Sequence, residues 1–200
     1  MIYNPQKHHR KSIRLKGYDY SRAGLYFITI CCQDRAHLFG HIENGQMILN
    51  KFGEIAFSEW AKTTQIRTNC QLHEFIIMPN HIHGIIEIIF QKEEEKNEIG
   101  AFKSPSQTIG SIIRGFKIAT IKRIKDFIQD KDINNYSTGE SQFAPFAPTD
   151  SYSTKKIKSL DFKIWQRNYY EHIIRNEQAF HRKSEYIINN PKKWENDKLK

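Results

Sequence analysis

The chain has 200 residues, which suits one domain carrying an insertion and is too short for two well-built cores. Hydrophobic residues make up 38%, enough for one core, and the formal net charge of +9 predicts a surface that attracts a polyanion. Three cysteines without C-x-x-C spacing argue against a disulfide framework, no apolar run is long enough to span a bilayer, and the basic amino terminus lacks a secretory apolar stretch, so a soluble cytoplasmic protein is expected.

Residues 1–24 read as a polar, basic lead-in. The first strand signal is LYFITICC at 25–32, a run of β-branched and aromatic residues suited to a strand covered on both faces. HLFGHIE and QMIL then flank Asn44-Gly45, a dipeptide whose tolerance of positive φ marks a hairpin turn. Asn50 is placed as the N-cap of an amphipathic helix running to about residue 67, with Phe52, Ile55, Ala56, Trp60 and Thr63 on its apolar face. Two strands follow at 71–78 and 82–90, joined by Pro79-Asn80. The block QKEEEKNE opens a solvated loop over about 91–105. A second amphipathic helix is predicted over 106–129, with Ile109, Ile112, Ile113, Phe116, Ala119 and Ile124 on one face and Arg114, Lys117, Lys122, Arg123 and Lys125 on the others. Residues 130–158, rich in polar residues and proline, predict little regular structure, and a last helix is predicted over 177–190, where Pro191 stops it. The order of elements excludes a parallel doubly wound fold. It predicts a single α+β domain over 1–200: an antiparallel sheet with helices packed on one face.

The most informative stretch is FIIMPNHIHGIIEI. Side chains at i and i+2 of a strand share a face, so His81 and His83 project together and Ile82 points away. Two neutral imidazoles side by side can chelate a divalent metal, although such a pair can equally serve as structural, hydrogen-bonded histidines. A catalytic metal needs further ligands, and spacing leaves Glu74, Glu87 and distant polar residues all open. The three cysteines are read as small buried hydrophobes.

Four ordered segments carry a resemblance: SIRLKGYDYSRAGLYFITICCQDR, FIIMPNHIHGII, IIRGFK, and WQRNYYEHIIRNE with YIINNPKKW. Together they resemble the REP-associated tyrosine transposases, a branch of the single-tyrosine transposases built on a His-hydrophobic-His (HUH) motif. The resemblance implies a ferredoxin-like HUH fold, with the motif histidines at His81 and His83. It also implies a nucleophile at Tyr186 and a further metal ligand at Asn190. Residues i and i+4 share a helix face, which suits that last pair. Tyr169 and Tyr170, in WQRNYYEH, are read as structural or DNA-contacting. Magnesium or manganese is the implied cofactor, and single-stranded or hairpin DNA the implied partner of a monomer or homodimer. The expected activity is strand nicking and rejoining through a 5′-phosphotyrosine. Two other readings stand beside it: a domesticated, non-catalytic nucleic-acid-binding protein, and a metal hydrolase in which water attacks. Candidate DNA contacts are Arg10, Lys11, Arg14, Lys16 and Tyr18 in the lead-in, with Arg114 and Lys117 on the second helix.

Overall fold

The computed structural model of the protein describes residues 17–90, 107–137 and 148–200. The expected loop at 91–105 and the candidate contacts Arg10, Lys11, Arg14 and Lys16 lie outside the described residues. The elements in chain order are β1 (Gly24–Cys31), β2 (Gly40–Glu43), β3 (Gln46–Leu49), α1 (Lys51–Ala61), α2 (Thr63–Ile66), β4 (Cys70–Met78), β5 (His81–Ile88), α3 (Ile109–Ser137), α4 (Pro148–Ser159), β6 (Tyr170–Ile174) and α5 (Glu177–Ile188).

Strands β4, β5, β1 and β6 form one sheet in that order, with every neighbouring pair antiparallel. With α1 and α3 as its connections, this is the βαββαβ arrangement of a ferredoxin-like α+β fold. The β2–β3 hairpin, set between β1 and α1, forms a separate two-stranded sheet. Its turn is as the Asn-Gly dipeptide predicts: Asn44 and Gly45 both have positive φ, 50° and 71°. Asn50 caps α1, its side-chain oxygen accepting from the Gly53 amide at 3.0 Å.

The sheet is covered on both faces, where the sequence reading put helices on one. On the first face, Ile28, Ile30, Ile82 and Ile86 meet the apolar sides of α1 and α3, including Phe52, Trp60, Ile112 and Phe116, all buried. Each such aliphatic or aromatic side chain contributes about 1.5–3 kcal/mol by leaving water. On the second face, Phe27, Ile85 and Ile174 pack under Ile187 of α5. Isoleucines of β5 therefore alternate between two cores, and the near-continuous apolar run of β1 has the same cause. Gly84 marks the closest approach across the first core. A Cβ there would stand 2.7 Å from Cζ2 of Trp60, a contact no side-chain rotation of alanine relieves. Gly84→Ala is expected to destabilise the protein by about 1–3 kcal/mol through overpacking; unchanged urea denaturation would show that Trp60 shifts freely.

Three further differences from the sequence reading have local causes. Helix α3 continues to Ser137, and α4 occupies 148–159, so much of the stretch expected to be irregular is helical. Helix α4 touches the body through a narrow stripe: Ser153 accepts a hydrogen bond from Asn50 Nδ2 at 3.1 Å, and Ile157, one turn on, is fully buried. With Ser153 and Ile157 the buried positions among residues 151–159, the composition reads as a loop. Strand β6 carries no strand signal in the sequence, because YEHII lies on a sheet edge and mixes charged and apolar residues. No described helix is long and apolar enough to cross a membrane.

Candidate metal and nucleophile site

The pairing register sets the site. His83 lies opposite Thr29 and His81 opposite Cys31, on the sheet face that α5 covers. The two rings stand 4.5 Å apart between centroids, and both are almost fully buried. Each is oriented by a neighbour. Asn80 Nδ2 donates to the carbonyls of Leu199 (2.7 Å) and Arg35 (3.3 Å), which turns its Oδ1 toward His81 Nδ1 at 2.7 Å. An acceptor there requires a proton on Nδ1, so the lone pair of His81 is on Nε2. His83 Nδ1 meets Thr29 Oγ1 at 2.8 Å, leaving its Nε2 toward the cleft.

Helix α5 and the turn after it supply the rest. The Tyr186 hydroxyl lies 3.3 Å from His83 Nε2, and its ring packs against His83 at 5.1 Å and Phe27 at 6.1 Å. Asn190, buried at the start of the 3₁₀ turn Pro191–Asn196, lies against both His81 and Tyr186. Asp197 then turns back, and its Oδ2 stands 3.8 Å from His81 Nε2. The ligand atoms of His81, His83 and Asp197 all fall within 4.8 Å of one another.

Three buried atoms here have no hydrogen-bond partner: His81 Nε2, Asn190 Oδ1 and Asp197 Oδ2. All three are electron-pair donors, and those of His81 and Asp197 belong to the cluster that spans no more than 4.8 Å. Buried acceptors gathered without a proton donor are costly unless a cation sits among them. The residues present therefore fit a divalent metal held by nitrogen and oxygen ligands. Glu74 and Glu87, left open by the sequence, are committed elsewhere: Glu74 accepts from Ser184 Oγ at 2.9 Å and Glu87 pairs with His73 at 2.8 Å. The carboxylate of the cluster is Asp197. Its distance along the chain from the histidines gave no spacing signal, and the return of the chain after Pro191 brings it in.

Burial holds both imidazoles neutral. It pushes His81 down to about 4, against the opposing pull of the Asp197 charge, and His83 well below the ordinary 6.5, helped by His81 and Lys183. The consequence for stability has a definite sign. Below about 6.5 the unfolded chain binds these protons and the folded metal-free protein does not. This contribution is complete above pH 6.5 and is lost as pH falls below it, for His81 down to about 4, at up to about 1.4 kcal/mol per pH unit for each proton taken up on unfolding. Chemical denaturation of metal-free protein at pH 7 and pH 5 measures it, and equal stability at both would contradict the buried neutral pair. Tyr186 is raised, first by burial and then by the charge of Asp197, with Asn190 acting in the other direction.

His83, Asn190 and Asp197 lie on the wall of a cleft of about 930 Å³, with His81 buried behind them. Arg35, Lys183, Lys193 and Lys198 line it, together with Phe27, Tyr169, Tyr170 and Tyr186. Of the candidate DNA contacts taken from the sequence, the described ones, Tyr18, Arg114 and Lys117, do not line this cleft. Tyr18 packs edge-on against Tyr20 at 4.9 Å with its hydroxyl 3.3 Å from that of Tyr26, and Arg114 is exposed on α3 away from the cleft lining. Lys117 is spent within the fold. Its ammonium donates to the carbonyls of Gln166 (2.7 Å), Asn168 (3.1 Å) and Arg167 (3.4 Å), and burial lowers it to about 8. Cys31 is half-buried on the cleft wall, whereas Cys32 and Cys70 are buried as expected; all three are free thiols.

No family model matches the chain. An uncharacterised protein of Haemophilus influenzae (strain ATCC 51907 / DSM 11121 / KW20 / Rd) is 42% identical over 204 residues, spanning 98% of this chain and 96% of that protein. The chain belongs to the family of that protein. It is also similar to two solved structures. One is a REP-associated tyrosine transposase bound to a REP hairpin, with 16% identity over 91% of this chain and 74% of that one and a TM-score of 0.49. The other is a candidate transposase from Deinococcus radiodurans R1, with 12% identity over 89% of this chain and 97% of that one and a TM-score of 0.44.

Proposed function

We infer that the protein is a metal-dependent nuclease and strand transferase of single-stranded or hairpin DNA, acting through a covalent phosphotyrosine. The observation that carries this reading is one juxtaposition. The Tyr186 hydroxyl lies 3.3 Å from His83 Nε2, beside three orphaned electron-pair donors, and it opens into a cleft lined by cations. His81, His83 and Asp197 would hold the ion, with Asn190 as a neutral fourth donor. When bound, magnesium or manganese would supply charge neutralisation at the scissile phosphate and favour the phenolate.

The protein's own groups do the remaining work. Thr29 and Asn80 fix the imidazole orientations, as partners of metal-binding histidines do. Phe27 and His83 hold the tyrosine ring, so its oxygen is presented in one place and the attack starts from an oriented nucleophile. In the reaction, Tyr186 oxygen bonds to phosphorus and the bond from phosphorus to the 3′ oxygen breaks. The phenol proton leaves to the water of the open cleft, and the departing 3′ oxygen takes one up. The products are a 5′-phosphotyrosine and a free 3′-hydroxyl, and attack by another 3′-hydroxyl reverses the step without a nucleotide cofactor. The basic cleft would bind the backbone phosphates.

The direct test incubates the full chain with end-labelled hairpin and unstructured oligonucleotides and manganese. A covalent complex that survives denaturation, maps to Tyr186 by mass spectrometry and is absent with a chelator supports the reading. Strand cleavage with no adduct would move the attack to water, and binding with no cleavage would make the chain a binding protein on this fold.

A further inference from the structure

Two adjacent tyrosines, Tyr169 just before β6 and Tyr170 at its start, have different surroundings. Tyr169 is half-buried, its hydroxyl donates to Glu171 at 3.0 Å, and Lys117 sits 5.9 Å from its ring. Tyr170 points to the other face and keeps 45% of its surface exposed on the cleft wall. It lies opposite Thr29, which lies opposite His83, so one cross-strand row runs from the metal cluster to the sheet edge. Two strand spacings, roughly 10 Å, separate its ends. The Tyr170 and Phe27 rings meet in a T-shape at 6.4 Å and 70°, a contact that holds the Tyr170 ring while much of it stays exposed.

Beside this row stands Lys183, half-buried, with its Nζ 4.3 Å from the centre of the Phe27 ring. The ring positions the ammonium but accepts little from its three N–H donors. Among the described residues no carboxylate pairs with it. An exposed aromatic ring and a held, unneutralised cation along one wall match what a single strand offers, a base to stack and a phosphate to neutralise.

We propose that Tyr170 is the stacking platform for a base flanking the scissile phosphate and that Lys183 takes a backbone phosphate of the same strand. The proposal rests on the reading of the cleft as a single-strand DNA site, and it assigns that strand a direction of travel: from the histidine pair across β1 toward the β6 edge, passing Lys183 of α5.

The test uses the full chain in chelator, so that binding is read without cleavage, and a set of oligonucleotides with 2-aminopurine at successive positions. Wild type and Tyr170→Phe should quench one position strongly. Tyr170→Leu should lose that quench and bind roughly tenfold more weakly. Lys183→Met should make the dependence of log affinity on log salt shallower by about 0.7, the value for one phosphate of a single strand. A quench that persists in Tyr170→Leu, or an unchanged salt slope in Lys183→Met, overturns the proposal while leaving the cleft a DNA site. If wild type binds none of the oligonucleotides, the functional reading fails first and the platform falls with it. Tyr170→Phe keeps the ring and the sheet packing, so a loss of quench in that variant too would count against stacking.

Discussion

Replacing Tyr186 by phenylalanine is expected to abolish the covalent protein–DNA adduct and to lower strand cleavage by on the order of 10³-fold or more, with DNA affinity changed less than about threefold. The substitution removes one oxygen and little else. The ring keeps its packing against Phe27 and His83, and the lost hydrogen bond to His83 Nε2 is at a side chain that is 38% exposed. Stability should therefore change by no more than about 1 kcal/mol, so lost cleavage cannot be ascribed to unfolding. Tyr170→Phe serves as the matched control, since it removes a phenol from the same cleft without touching the histidines. Cleavage that survives in Tyr186→Phe would hand the attack to water.

Asp197→Asn should lower manganese affinity by on the order of a hundredfold, because it removes the one carboxylate of the cluster. The same change should leave the metal-free protein as stable as wild type or more so, by about 1 kcal/mol. Asp197 Oδ2 is buried without a partner 3.8 Å from His81 Nε2, itself unpartnered, and an amide N–H in its place can donate where a carboxylate cannot. Calorimetric titration with manganese, alongside thermal unfolding with and without the ion, reads both halves. A purely structural role for Asp197 predicts the reverse pattern: a lower melting midpoint and an unaltered metal affinity.

The contrast between Asp197 and the histidine pair shows what the sequence could carry. Period two placed His81 and His83 on one face, and the Asn44-Gly45 turn and the Asn50 cap followed from local backbone chemistry. Tyr186 and Asn190 converge as a spacing of four allows. Asp197 has no such signature, because its place depends on a turn after Pro191 and on Asn80 and Arg35 gripping the Leu199 carbonyl. The basic residues of the cleft were hidden for a related reason. Arg35, Lys183, Lys193 and Lys198 come from three separate segments, whereas the charge-rich stripe legible on α3 includes Lys117, whose ammonium donates to three carbonyls. The second covered face of the sheet was implicit in the unbroken apolarity of β1, and the short amphipathic α5 that covers it shows only Ser184 and Ile187 as buried positions.

That last feature bears on how the protein should be handled. The larger core lies under α1 and α3, while α5, which carries the proposed nucleophile Tyr186, is anchored by a small cluster around Phe27, Ile85, Ile174 and Ile187. Protein segments come loose in proportion to how little they bury, well below the cost of unfolding the whole. Local opening at α5 is therefore expected to cost less than unfolding the scaffold. A native circular dichroism spectrum certifies the sheet and its main helices, and leaves open whether a given preparation has its tyrosine in place; that has to be read at Tyr186 itself.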